Sequence, residues 1–178
     1  MTDAYSPIPE LNLFKAFVDA TGEDFTHWGG LTDYGRNAFL DDPELIARLL
    51  PFAYADHGGS LFCLWRLDDR GDLATVPIVL MGHEGGIHLI ARDLREFFRF
   101  LGALDCPIAC DWQYVFYEEE EEEESAAREK YLAWLGEQFG LSPADDPDDV
   151  IEAAAAEFQE RFDAWILPLV PDAVSTRP

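Results

Sequence analysis

The chain has 178 residues, 48% apolar and 13% aromatic, and sets 12 Lys and Arg against 36 Asp and Glu for a net charge of −24. That length and apolar content can bury one ordinary core, and no apolar run reaches the ~20 residues that a membrane-spanning helix needs. A field of this sign repels nucleic acid and anionic membrane, whose binding needs clustered Lys and Arg; it favours encounter with basic partners and equally serves solubility.

The opening stretch, MTDAYSPIPELNLF, lacks the basic start and apolar centre of a secretion signal. Residues 7–20 then place Leu11, Phe14, Phe17 and Val18 at helical spacing, with Gly22 beyond the end. The following segment is irregular and carries Trp28. In DDPELIARLLP, Asp42 reads as an N-cap, Pro43 as the first helical residue and Pro51 as the stop of a short helix. The stretch FAYADHGGS follows, in which Gly58 and Gly59 turn the chain and Asp56 and His57 decorate the turn.

SLFCLWRL has apolar residues on both alternating faces, as a central buried strand does. DDRGD is a turn, and TVPIVLM and GIHLIA are two strands joined by the loop GHEGG, with Pro77 at an edge or at the start of its strand. RDLREFFRFLGAL is the clearest helix: Asp93 and Glu96 resemble a capping box, and Leu94, Phe97, Phe98, Leu101 and Leu104 form one apolar stripe. CPIACDWQYVFY reads as a further strand or a packed loop. Seven consecutive glutamates follow, and SAAREKYLAWLGEQFG is a helix that stops at Gly140. Asp146 as N-cap, Pro147, and the acidic pair Asp148 and Asp149 start a last long helix whose apolar residues run from Ile151 to Trp165, and PDAVSTRP is a frayed tail. Elements grouped in this order predict a single α+β domain over 1–178: a small antiparallel sheet with helices packed mainly on one face and extra C-terminal helices after residue 125.

Chemical motifs are few. His83 and His88 in HEGGIH stand five apart, whereas two zinc ligands on one helical face stand four apart, and Gly85 and Gly86 disfavour a helix there. A loop histidine and a sheet histidine are the simpler reading. CPIAC spaces its thiols by three residues and has no second pair to complete a tetrahedral site. Three cysteines, Cys63, Cys106 and Cys110, make no disulfide framework, and the expected compartment is a reducing cytoplasm. Cys63 shares a strand face with Trp65, which points to a dry interior rather than to a thiolate nucleophile. Neither glycine-rich stretch has the context of a phosphate loop. No cofactor and no metal are expected.

Phe52 to Leu101 resembles the SUKH superfamily of bacterial immunity proteins, which also includes yeast cell-wall-synthesis regulators. The similar pieces run in order: FAYADHGG, an aromatic–Ala turn; SLFCLWRL, a strand; DDRGD, an acidic turn; VPIVLMGHEGG, a strand; and IHLIARDLREFFRFL, a strand and helix. In this match Gly59 takes the turn glycine, Ala91 the strand-end alanine, and Phe97 and Leu101 the helix anchors. The early helix lead-in of the family has at best a stretched form in SPIPELNLF, and nothing after residue 125 is matched.

The resemblance implies a cytoplasmic, non-catalytic antitoxin that binds and neutralises a cognate toxin domain, often a nuclease, with a basic protein as partner and neither nucleic acid nor membrane. It assigns no binding residue. From sequence character alone the candidates are Glu118, Glu119, Glu120, Glu121, Glu122, Glu123 and Glu124, Asp68 and Asp69, and Trp28. The glutamate run has other readings, as a solvated spacer or as helix-start charge. The alternatives are a SUKH-like regulator or scaffold without a toxin, and a metal-dependent enzyme built on His57, His83, Glu84 and His88.

Overall fold

The computed structural model describes residues 4–21, 30–36, 40–83, 85–104, 108–110, 115–117 and 126–170. Five strands form one antiparallel meander in the order of the chain: β1 (Gly30–Leu31), β2 (Leu49–Tyr54), β3 (Leu61–Trp65), β4 (Ile78–Met81) and β5 (Ile87–Ala91). Two more, β6 (Ile108–Cys110) and β7 (Val115–Tyr117), pair as a separate ribbon. The helices are α1 (Pro9–Thr21), α2 (Pro43–Arg48), α3 (Leu94–Ala103), α4 (Ala126–Phe139) and α5 (Pro147–Ile166). The class is the α+β arrangement the element order predicts.

β3 is the middle strand and all five of its residues are buried, so neither of its faces meets water. Its apolar alternation on both sides dictates this: each face has to be covered. The ring of Phe62 meets Phe97 of α3 at 4.8 Å, and Phe97 also meets Phe52 of β2 at 5.3 Å. At the end of the strand, Trp65 packs edge-on against Phe162 at 4.9 Å and stacks on Trp165 at 5.4 Å, both from α5. α1 joins the other side of α3: Phe14 meets Phe98 at 5.1 Å and Trp134 of α4 at 5.7 Å. Tyr131 of α4 is fully buried and donates its hydroxyl to the Phe98 carbonyl at 2.8 Å.

The caps follow the sequence. Asp42, Asp93 and Asp146 each accept backbone N–H groups at the start of α2, α3 and α5. Around α3 the reciprocal half of the box shifts by one residue: Glu96 accepts from the backbone N–H of Arg92 rather than from that of Asp93. Gly140, at φ 65°, ends α4 with its N–H on the Gly136 carbonyl.

Two elements differ from the sequence reading. α2 ends at Arg48, and the chain enters β2 at once, so Pro51 lies inside a strand rather than stopping a helix. Proline is accepted there because the β2–β3 register shifts between Pro51 and Ala53, and on the other side the Pro51 carbonyl receives the Gly35 N–H at 2.7 Å. β1, two residues long, emerges from a stretch read as irregular. The strand-or-loop segment at 106–117 supplies the strands β6 and β7. Pro77 stands just before β4, at a strand start.

Candidate functional site

Two loops meet at one end of the sheet, residues 55–60 between β2 and β3 and residues 82–86 between β4 and β5. Asp56 is buried, and its carboxylate accepts the N–H groups of Gly59 at 2.8 Å and Ser60 at 3.0 Å. It therefore builds the turn rather than decorating it, while His57 is exposed. Gly59, at φ 107°, makes the left-handed step. Gly58 owes its place to room: a β-carbon there would stand 2.8 Å from Cε1 of His83.

Ser60 ties the loops together. Its Oγ receives the His83 N–H at 3.3 Å and lies 3.2 Å from His83 Nδ1. Serine, histidine and aspartate are the residue types of a hydrolase triad, but here Asp56 serves the backbone and Ser60 is 0% exposed, so the serine has no route to a substrate.

The sequence candidates fall in different places. Glu118 to Glu124 and Trp28 lie outside the described residues, as do Glu84, Cys106 and the C-terminal tail from residue 171. Asp69 is exposed at the β3–β4 turn. Asp68, beside it, is already engaged: it takes two hydrogen bonds of 2.7 Å from Arg70 and stands 4.0 Å from Arg161 of α5. The Arg70 hydrogen bonds, aided by the charges of Arg70 and Arg161, hold its carboxyl down to about 2. Its charge is spent within the fold, linking the turn to α5, and Arg161 also donates to the Leu67 carbonyl at 2.8 Å.

The described residues of the metal alternative, His57, His83 and His88, do not gather as a ligand set. His83 is bound into the loop knot, His88 lies on β5 opposite Leu80, and among the described residues no three His, Cys, Asp or Glu side chains gather around one point. Cys63 is fully buried, and burial pushes its thiol well above the usual range, so it stays protonated. An open depression of about 350 Å³ between Pro7–Pro9 and Gly71–Leu73 offers one carboxylate, Asp72, which caps a short helical turn through the Ala74 N–H. Among the described residues, no helix is long and apolar enough to cross a membrane.

A surface that residue-by-residue reading missed is the outer side of α5. Val150, Ala154, Phe162 and Ile166 are buried, and the exposed Asp149, Glu152, Glu157 and Glu160 lie on the other side of the helix. The helical period that identifies the apolar stripe also locates this acidic one. Glu157 is paired with Arg92 at 3.6 Å.

No family model, no curated protein and no solved structure matches the chain.

Proposed function

We propose that this chain is a non-catalytic binding protein of the immunity type, which neutralises a cognate toxin domain, a nuclease in the first instance, by laying an acidic surface on its basic substrate groove. The observation that carries the reading is charge held on a fixed frame. The protein has a net charge of −24, and the acidic arc of α5 is backed by a face locked onto Trp65. Carboxylates arrayed on a packed helix lose little freedom on meeting a cationic groove. They steer association and set register, while affinity comes from a few buried anchors.

The SUKH resemblance supports the same reading. From Phe52 to Leu101 the end of β2, a turn, a strand, a turn, a hairpin and a helix follow one another, an order compatible with it. The matched positions hold structural posts: Gly59 in its left-handed turn, Ala91 buried at a strand end, Phe97 and Leu101 buried on α3.

The test is a search of the neighbouring genes for a toxin domain and co-expression with it, scored by growth, with binding kinetics on the purified pair. Protection is expected, together with an association rate that falls several-fold for the triple variant Asp149→Asn, Glu152→Gln, Glu160→Gln at low salt, while dissociation changes little. Failure to protect, or protection with salt-independent association, overturns the reading.

A further inference from the structure

The depression between the segment before α1 and the β3–β4 turn has walls of unlike chemistry. Pro7, Ile8 and Pro9 stand on one side and Gly71, Asp72 and Leu73 on the other, around a volume of about 350 Å³ that opens to solvent. Pro7, Pro9, Gly71 and Asp72 are exposed, while Ile8 is buried. Neither proline has an N–H, and that of Ile8 is held by Ser6 Oγ at 3.1 Å. The first wall therefore has ring carbons and carbonyl oxygens but no free backbone donor.

The second wall carries a negative charge that the fold leaves uncompensated. One oxygen of Asp72 accepts the Ala74 N–H at 3.1 Å, and among the described residues the carboxylate has no ion pair. The cations nearest in sequence to the two walls are engaged elsewhere. Arg70 donates to both oxygens of Asp68 at 2.7 Å and to the Thr75 carbonyl at 2.9 Å, and Lys15 of α1 pairs with Asp19. Both walls are also set in place. Asn12 clasps Ser6, accepting its N–H and donating to its carbonyl, each at 2.9 Å, and the two prolines fix φ on either side of Ile8. The Asp72 carbonyl receives the Thr75 hydroxyl at 2.8 Å and the Thr75 N–H at 3.3 Å.

A ligand here meets apolar rings and then a carboxylate. Asp72 and the net charge of −24 disfavour an anion, and a wholly apolar group would strip water from Asp72 without replacing it. An aliphatic stem that ends in a cation suits both walls. We propose that this depression docks one lysine or arginine side chain of a protein partner, with its methylenes on Pro7 and Pro9 and its charge on Asp72. The inference rests on the reading above for its basic partner, and adds a place where that partner is anchored.

The amide signals of Gly71, Leu73 and Ala74 in the whole chain report occupancy by NMR. The probes are N-acetyllysine amide and N-acetylarginine amide. N-acetylnorleucine amide supplies a stem without charge and ammonium chloride a charge without a stem, all at matched ionic strength. A saturating shift with a basic derivative is expected, about fivefold weaker in Asp72→Asn, which keeps the cap on Ala74. The inference is overturned if ammonium chloride or the norleucine derivative gives the same saturating shift, if Asp72→Asn binds as tightly, or if nothing saturates. A toxin domain bound equally well by Asp72→Asn also overturns it and leaves the reading above standing. A saturating basic derivative in a chain that protects against no toxin overturns that reading and leaves the site.

Discussion

Asp56, Gly58 and Gly59 show three ways in which one residue can be required at a turn. Asp56 supplies an acceptor for two N–H groups, Gly58 leaves space for His83, and Gly59 supplies a backbone angle. The three fail differently. Gly59→Ala forces a side chain into the left-handed region and is expected to cost about 1–2 kcal/mol. Gly58→Ala has no such strain; its β-carbon would meet Cε1 and Nδ1 of the exposed His83 ring and stand 3.2 Å from Asp56 Oδ1, and because the ring can turn away it should cost less while releasing His83 from Ser60. Denaturant melts of both variants, with the His83 ring signals followed by NMR, separate the two effects. At Asp68 the controlling quantity is pH. Its folded value is about 2, below the ~3.9 of an unfolded chain. The stabilisation is complete above about pH 4 and disappears as pH falls toward about 2. Asp68→Asn should flatten this part of the stability curve in thermal melts, and added salt should shrink the difference, because the pair is partly exposed.

Helix α3 is the element on which the others converge, and its Phe97 touches Phe52, Phe62, Phe98 and Phe100. Phe97→Ala opens a cavity between sheet and helix and is expected to cost about 3–5 kcal/mol in a denaturant melt. Tyr131→Phe keeps the ring and loses the bond to the Phe98 carbonyl, so about 1 kcal/mol is expected. α3 was legible in the sequence because a capping aspartate and a five-residue stripe agree, as were β3, β4 and β5 through their apolar runs. β2 was not, since Pro51 is a local stop signal whose acceptance depends on a register shift and on Gly35, a residue 16 positions away. β1 is too short to carry a period and exists through its pairing with Ala53 and Tyr54. The site divides along the same line. The turn glycines and the acidic character are local and visible. The burial of Asp56 and the approach of Arg161 to Asp68 depend on contacts between distant segments.

The whole molecule carries 24 more negative than positive charges. Salt weakens individual pairs such as Lys15–Asp19 and Arg48–Glu44, each worth at most about 1 kcal/mol at the surface. It also relieves repulsion among all the carboxylates, and with three of them for each cation the repulsion dominates. The melting temperature is therefore expected to rise between roughly 10 mM and 500 mM sodium chloride; a fall would mean that the pairs outweigh the net field.

The stacking of Trp65 on Trp165, with ring planes 28° apart, joins residues a hundred positions apart in sequence. Indoles held this closely couple their excited states, so the pair should give a paired positive and negative band in circular dichroism that vanishes in Trp165→Phe. That band is an optical reporter of the last helix alone. Followed through refolding beside the far-ultraviolet signal, it times the arrival of α5 relative to closure of the sheet.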